Sequence, residues 1–257
     1  MEPVLKLEGV SVQFGGLSAV KQVDFHVNKG EIVALIGPNG AGKTTLFNLL
    51  TGIYAPTSGS IFYQQKKINQ VKASDRVKMG IARTFQNIRL IKNLTVLENV
   101  LVAHRDCNSE RLWESLFPSK KVYEKRAKIV EESREILKII GLEKKSNEYA
   151  KNLPYGEQRL LEIARALVTK CQLLLLDEPA AGMNSTEKQN LVNLIRHISQ
   201  LFQIEIVLIE HDIRLVMSIA DRVVVLDHGE KIAEGSGAEV QNDPNVIRAY
   251  LGEELAT

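Results

Sequence analysis

GPNGAGKTT, residues Gly37 to Thr45, is the stretch on which the fold turns. The apolar run EIVALIG leads into it, and TTLFNLLTG, with the look of a helix, leaves it. Gly37, Gly40 and Gly42 let the backbone curl with its N–H groups pointing inward. A helix beginning near Gly42 adds the positive end of its dipole to those donors. Such a loop between strand and helix suits a polyanion. Lys43 reaches the outer phosphates, and the Thr44 hydroxyl is of the type that ligates Mg²⁺. The stretch predicts a nucleoside-triphosphate site, against the plainer alternative of a glycine-rich turn.

Working outward, the buried-type strands come next. LLLLDE (173–178), IEIVLIEHD (204–212) and RVVVLD (222–227) are, like EIVALIG, continuously apolar, as parallel strands covered on both faces are. VLKLEGVSVQF (4–14) and VKQVDFHV (20–27) alternate instead, which predicts half-exposed antiparallel strands. A helix is expected over 186–202, and LDHGEKIAEG reads as a hairpin turning at His228-Gly229. From about Leu94 to Thr169 helix signals dominate. Thr95 and Glu98 form a capping box, and Val122, Ile129, Ile136 and Ile140 lay an apolar seam along a charged helix. The pattern predicts an α/β fold: a P-loop (RecA-like) core with a mainly parallel sheet, an antiparallel β subdomain and an inserted helical subdomain. The core is assigned to 1–93 and 170–257, the insertion to about 94–169.

Composition narrows the class. The 257 residues are 44% apolar and 25% charged with a net charge of +2, so nothing calls for nucleic acid as a partner. Cys107 and Cys171 lie far apart and suggest neither a disulfide framework nor a zinc cluster. No signal peptide and no spanning apolar run is evident, so a cytosolic chain is expected, reaching a membrane only by docking.

A phosphate-binding loop needs a carboxylate for the metal and a group to activate water. Asp177 closes the strand LLLL at a sheet edge, suiting the metal, and Glu178 follows as candidate general base. His211 emerges after IEIVLIE and is a candidate γ-phosphate contact; Gln86, after IARTF, ends another strand-like segment and says nothing by itself.

In this order, GPNGAGKTT, RTFQN, LPYGEQRLLEIARAL, LLLLDEP, AAGMN and IEHD resemble the Walker A, Q-loop, signature, Walker B, D-loop and H-loop of ABC transporter ATP-binding subunits. The resemblance spans essentially the whole chain. It implies ATP held by Gly37, Pro38, Asn39, Gly40, Ala41, Gly42, Lys43, Thr44 and Thr45, with Phe14 stacking on adenine. It implies Mg²⁺ at Thr44, Gln86 and Asp177, with Glu178 and His211 as the catalytic pair. It also implies a head-to-tail dimer, with itself or a second ABC ATPase subunit. In that dimer Leu153, Tyr155, Gly156 and Glu157 meet the partner's ATP.

Two positions depart from the family pattern. Leu153-Pro154-Tyr155-Gly156-Glu157 stands where Leu-Ser-Gly-Gly-Gln is commonest, so Pro154 lacks both the hydroxyl and the N–H. Asn184 replaces the usual D-loop Asp. Pro154 is expected in the first helical turn, where a missing N–H costs folding nothing.

FGGLSAVKQVDF, ARTFQNIRLIKNLTVLENVLVAH, AAGMN, NDPNVIRAYLG and the insertion CNSERLWESLFPSKKVYEKR look like branched-chain amino acid importer ATPases of the LivG type. Urea/amide importer and lipopolysaccharide-export ATPases are close relatives. The implied partners are multi-spanning permease subunits and, indirectly, an extracytoplasmic substrate-binding protein. The implied place is the cytoplasmic face of the membrane, peripherally. A soluble ABC ATPase acting on DNA or ribosomes is the rival; coiled-coil or zinc insertions, tandem cassettes or a basic tail would favour it, and the sequence carries none.

Overall fold

The computed structural model describes residues 2–107 and 120–254. The part of the CNSERLWESLFPSKKVYEKR insertion over 108–119 therefore lies outside the described residues. The chain divides into two compact units, Met1–Arg83 with Gln172–Thr257, and Thr84–Cys171.

The first unit carries two sheets. Strands β1 (Leu5–Phe14), β2 (Leu17–Val27), β4 (Ser58–Tyr63) and β5 (Lys66–Lys67) form an antiparallel sheet in the order β2-β1-β4-β5. Along β1, Leu5, Leu7, Val10 and Val12 are buried while Lys6 and Glu8 face water, the alternation expected of a one-sided sheet. The other sheet runs β10-β9-β3-β8-β7-β6, with β3 (Ile32–Ile36), β6 (Ile81–Arg83), β7 (Leu173–Asp177), β8 (Glu205–Ile209), β9 (Arg222–Asp227) and β10 (Glu230–Gly235). Its pairings are parallel except for the β9–β10 hairpin. Every residue of β3, β7 and β8 is buried, which is why those segments read as unbroken apolar runs. Helix α1 (Lys43–Thr51) drives Leu46, Phe47, Leu49 and Leu50 into a core shared by both sheets, and the short α2 (Ala73–Met79) precedes β6. The hairpin turns at His228 and Gly229, both with positive φ (45° and 82°), as a two-residue turn of this hand requires.

The second unit is helical. Helix α3 (Val96–Ala103) opens on the reciprocal Thr95–Glu98 capping box, and α4 (Lys120–Ile139) buries Val122, Ile129 and Ile136, with Ile140 just beyond its end. Helix α5 (Tyr155–Leu167) packs with both. An isolated bridge between Thr95 and Tyr149 stands in for sheet here.

Three boundaries differ from the sequence expectation. The helical unit begins at Thr84 rather than about 94 and extends to Cys171, because the last core strand before it, β6, ends at Arg83. Gln86 thus follows three residues after that strand instead of closing it. Strand β8 stops at Ile209, so His211 lies on the connection to the next helix.

Candidate nucleotide site

In the order β3-β8-β7-β6, four neighbouring strands bring their carboxyl ends to one edge. Gly37 follows β3, His211 lies just past β8, Asp177 and Glu178 end and follow β7, and Arg83 closes β6. Ligands of open α/β sheets sit beyond such an edge. Residues far apart in sequence converge there only through this strand order.

The loop after β3 is held by its walls. Gly37 has φ 145°, and a Cβ there would meet the Leu226 carbonyl of β9 at 2.0 Å. A Cβ on Gly42 (φ 99°) would meet the Ala19 carbonyl of β2 at 2.6 Å. Both positions need glycine. Gly229, in the β9–β10 turn, donates its N–H to the Ala41 carbonyl at 3.1 Å, closing the loop from the other side. Lys43 is buried, its Nζ donating to the Gly37 and Pro38 carbonyls at 2.7 Å each. Asn39, Gly40 and Thr44 are exposed. Helix α1 opens on Gly42 with no side-chain cap and no acidic residue in its first turn. A helix start with that donor set and an ammonium beside it fits a polyphosphate. The Thr44 hydroxyl and the Asp177 carboxylate are hard oxygen groups of the kind Mg²⁺ takes.

Asp177 is buried, and its Oδ2 accepts from the Arg83 guanidinium at 2.7 Å. Glu178 has φ 47°, a left-handed conformation that costs a non-glycine residue about 1–3 kcal/mol and is typical of functional sites. Its N–H donates to the Ile209 carbonyl at 3.0 Å, pinning β7's exit to β8. His211 Nε2 lies 3.1 Å from Glu178 Oε1, and since a carboxylate only accepts, the ring nitrogen is the donor. The two residues expected to form the catalytic pair are in contact.

Phe14 ends β1 and is 43% exposed, its ring edge-on to Tyr54 at 4.9 Å between centroids. It is a surface aromatic and not strand core.

The remaining expected residues belong to the helical unit. Gln86 is exposed. Leu153, expected to meet the partner's ATP, is only 4% exposed, and its backbone is engaged as well, its N–H donating to the Ala150 carbonyl at 3.3 Å and its carbonyl accepting from Gln158 at 2.8 Å. Tyr155 is exposed, its hydroxyl accepting from Arg159 at 2.8 Å, and Glu157 is gripped by Lys145 at 2.6 Å. Pro154 is the N-cap of α5, with φ −53° and ψ 153°, one position before the expected first turn. Asn184 caps the helix α6 (Ser185–Phe202), accepting from the Glu187 N–H at 3.0 Å, so the Asp-to-Asn departure preserves the cap.

Two participants went unremarked in the sequence. Arg83 sits inside the quoted RTFQN, and a charge ending an apolar strand was the available signal. Glu210, inside IEHD, is buried and accepts from the Ala180 N–H at 2.8 Å and the His211 N–H at 3.2 Å. Burial raises its carboxyl group above the ordinary value.

Residues 20–181 match the family model described as ABC transporter, and 230–256 match that of the branched-chain amino acid ATP-binding cassette transporter. The chain is 44% identical to the high-affinity branched-chain amino acid transport ATP-binding protein LivG of Salmonella typhimurium, over 98% of this chain and 99% of that one. It is 42% identical to BraF of Pseudomonas aeruginosa, with 98% of each chain covered. A solved ATP-binding cassette of an ABC transporter in its ADP conformation superposes with TM-score 0.86 at 33% identity, covering 98% of this chain and all of the other. A dimeric cassette bound to ADP and Pi in a post-hydrolysis state superposes with TM-score 0.75 at 26% identity, covering 90% and 98%. With its phosphate loop, carboxylate pair and histidine on one sheet edge, and with these matches over nearly its full length, the chain belongs to the ATP-binding subunits of ABC transporters.

Proposed function

We propose that the chain binds and hydrolyses Mg-ATP to power an importer of branched-chain amino acids, working as a head-to-tail dimer at the cytoplasmic face of the membrane against permease subunits. The observation that carries the chemistry is the Glu178–His211 contact at the edge that also bears Lys43 and Asp177. Lys43 and the α1 N-terminus bind the phosphates, and the exposed Phe14 ring stacks on the base. Asp177 and Thr44 would hold the metal, which when bound neutralises phosphate charge. Glu178 takes the proton of the attacking water. His211 donates a hydrogen bond that is available to a phosphate oxygen as well as to Glu178. Tyr155, Gly156 and Glu157 face the partner's nucleotide. The cargo reading rests on the names of relatives such as LivG and BraF, and a binding protein outside the membrane would deliver it.

The test has two arms. Glu178→Gln keeps size and hydrogen bonding but removes the base, so turnover is expected to fall about 10²–10⁴-fold. Mg-ATP should then trap a dimer on size exclusion. Wild-type turnover in that variant overturns the assignment of Glu178. In cells, uptake of labelled leucine should be lost with Glu178→Gln and restored by the native chain; uptake that ignores both rejects the cargo.

A further inference from the structure

Arg83 is the last residue of the nucleotide-binding unit before the chain leaves for Gln86, and its guanidinium is committed on several sides. One terminal nitrogen donates to Asp177 Oδ2 at 2.7 Å and the other to Asn48 Oδ1, on α1, also at 2.7 Å. Its carbon lies 5.4 Å from the centroid of the Phe47 ring on the same helix. The side chains of Arg83 and Asp177 are 6% and 5% exposed. Charge-assisted bonds from a planar fork in so dry a place define direction as well as distance.

We propose that Arg83 is a positioning residue for the metal: it fixes the Asp177 carboxylate in one orientation relative to α1, the helix that presents Thr44. The proposal rests on the reading of Asp177 as a metal-holding residue. Without Arg83, Asp177 keeps its place on β7 but its carboxylate loses a charged partner that restrains its rotation, and a buried charge is left without this counter-ion. Lysine preserves the charge but cannot span Asp177 and Asn48 with a rigid fork. A simple cation beside the metal would do the opposite, since its repulsion opposes divalent binding and its removal would tighten it. The direction of the effect therefore separates positioning from mere charge.

The measurement is Mn²⁺ binding with saturating ATP, followed by electron paramagnetic resonance, in a Glu178→Gln background. Binding of a fluorescent ATP analogue in EDTA runs alongside as the metal-free reference. Arg83→Met should weaken Mn²⁺ about 10–100-fold, the usual cost of losing an outer-shell partner, while metal-free nucleotide affinity stays put. Arg83→Lys should weaken it less, and Asn48→Ala less again, since the bond to Asp177 survives. Asp177→Asn is the control, and Arg83→Met added to it should cost nothing further. If Asp177→Asn leaves Mn²⁺ untouched, the metal assignment fails. If it weakens Mn²⁺ while the Arg83 variants leave it unchanged or tighter, or if the losses add, the role given to Arg83 is wrong. Should Arg83→Met not fold, Arg83→Lys and the Arg83→Met/Asp177→Asn double variant, which leaves no buried charge behind, carry the same decision.

Discussion

Glu210 holds two loops together with one carboxylate, bonding the Ala180 N–H after Glu178 and the His211 N–H beside it. Burial pushes its proton affinity up, the Glu178 charge adds to that, and the two N–H bonds oppose it. Its native value therefore lies above the ordinary 4.5. Between those values the native state binds more protons than the unfolded chain, so this group's contribution to stability declines as pH rises through that window. Glu210→Gln cannot titrate and should lose that decline. Thermal unfolding followed from pH 4 upward is expected to give a flatter fall, or a steeper gain, for the variant than for its parent. Glu162 and Glu205, also raised by burial, leave a remainder in both proteins. Identical pH dependence in variant and parent would show that Glu210 is ionised alike in both states.

Three helices announce their starts, through Thr95, Asn184 and Ser236 with a glutamate three residues on. Helix α5 does not: Pro154 caps it without a side-chain bond. Serine there could accept from a first-turn N–H, a gain of about 1 kcal/mol, while losing proline's restriction of the unfolded chain, about 0.4–1 kcal/mol. The two nearly cancel. Pro154→Ser should shift the denaturation midpoint little, yet tighten ATP-dependent dimers in a Glu178→Gln background by supplying a hydroxyl and an N–H. A large stability change with unaltered dimerisation would assign Pro154 to folding alone. The same helix grips the segment on both sides of Gln86: Glu162 accepts from the Arg89 N–H at 2.6 Å, Arg165 donates to the Arg89 carbonyl, and Arg159 donates to that of Phe85 at 2.8 Å. These bonds make the Gln86 segment a part of the signature helix's own unit.

At the scale of the molecule, the division into two units places Lys43, Asp177, Glu178 and His211 in one and Gln86 with the signature residues in the other. A nucleotide shared between two copies would use the sheet edge of one and the α5 start of its partner. Gly156→Asp sets a carboxylate in the first turn of that helix, where it would face a polyphosphate across the interface. In a Glu178→Gln background it should abolish Mg-ATP-dependent dimers in analytical ultracentrifugation and leave monomer ATP affinity unchanged. Dimers equal to the parent's would remove the signature segment from the nucleotide.

The sequence by itself determined what is local. The glycines of GPNGAGKTT, the unbroken apolar strands, the Thr95–Glu98 box and the seam of α4 follow from backbone freedom, period and short-range hydrogen bonding. Those same rules placed Asp177 and Glu178 at the end of one strand and His211 after another, without bringing His211 into contact with Glu178. Strand order decided the rest. Placing β8 between β3 and β7, and β6 outside β7, brings His211 to Glu178 and Arg83 to Asp177, while β9 on the other side of β3 seats Leu226, and β2 of the antiparallel sheet seats Ala19, against the phosphate loop. No periodicity encodes a pairing between residues that far apart in the chain. It arises when buried strands choose neighbours that cover both faces, and the carboxylates at their ends are then brought to the donors that lie across from them.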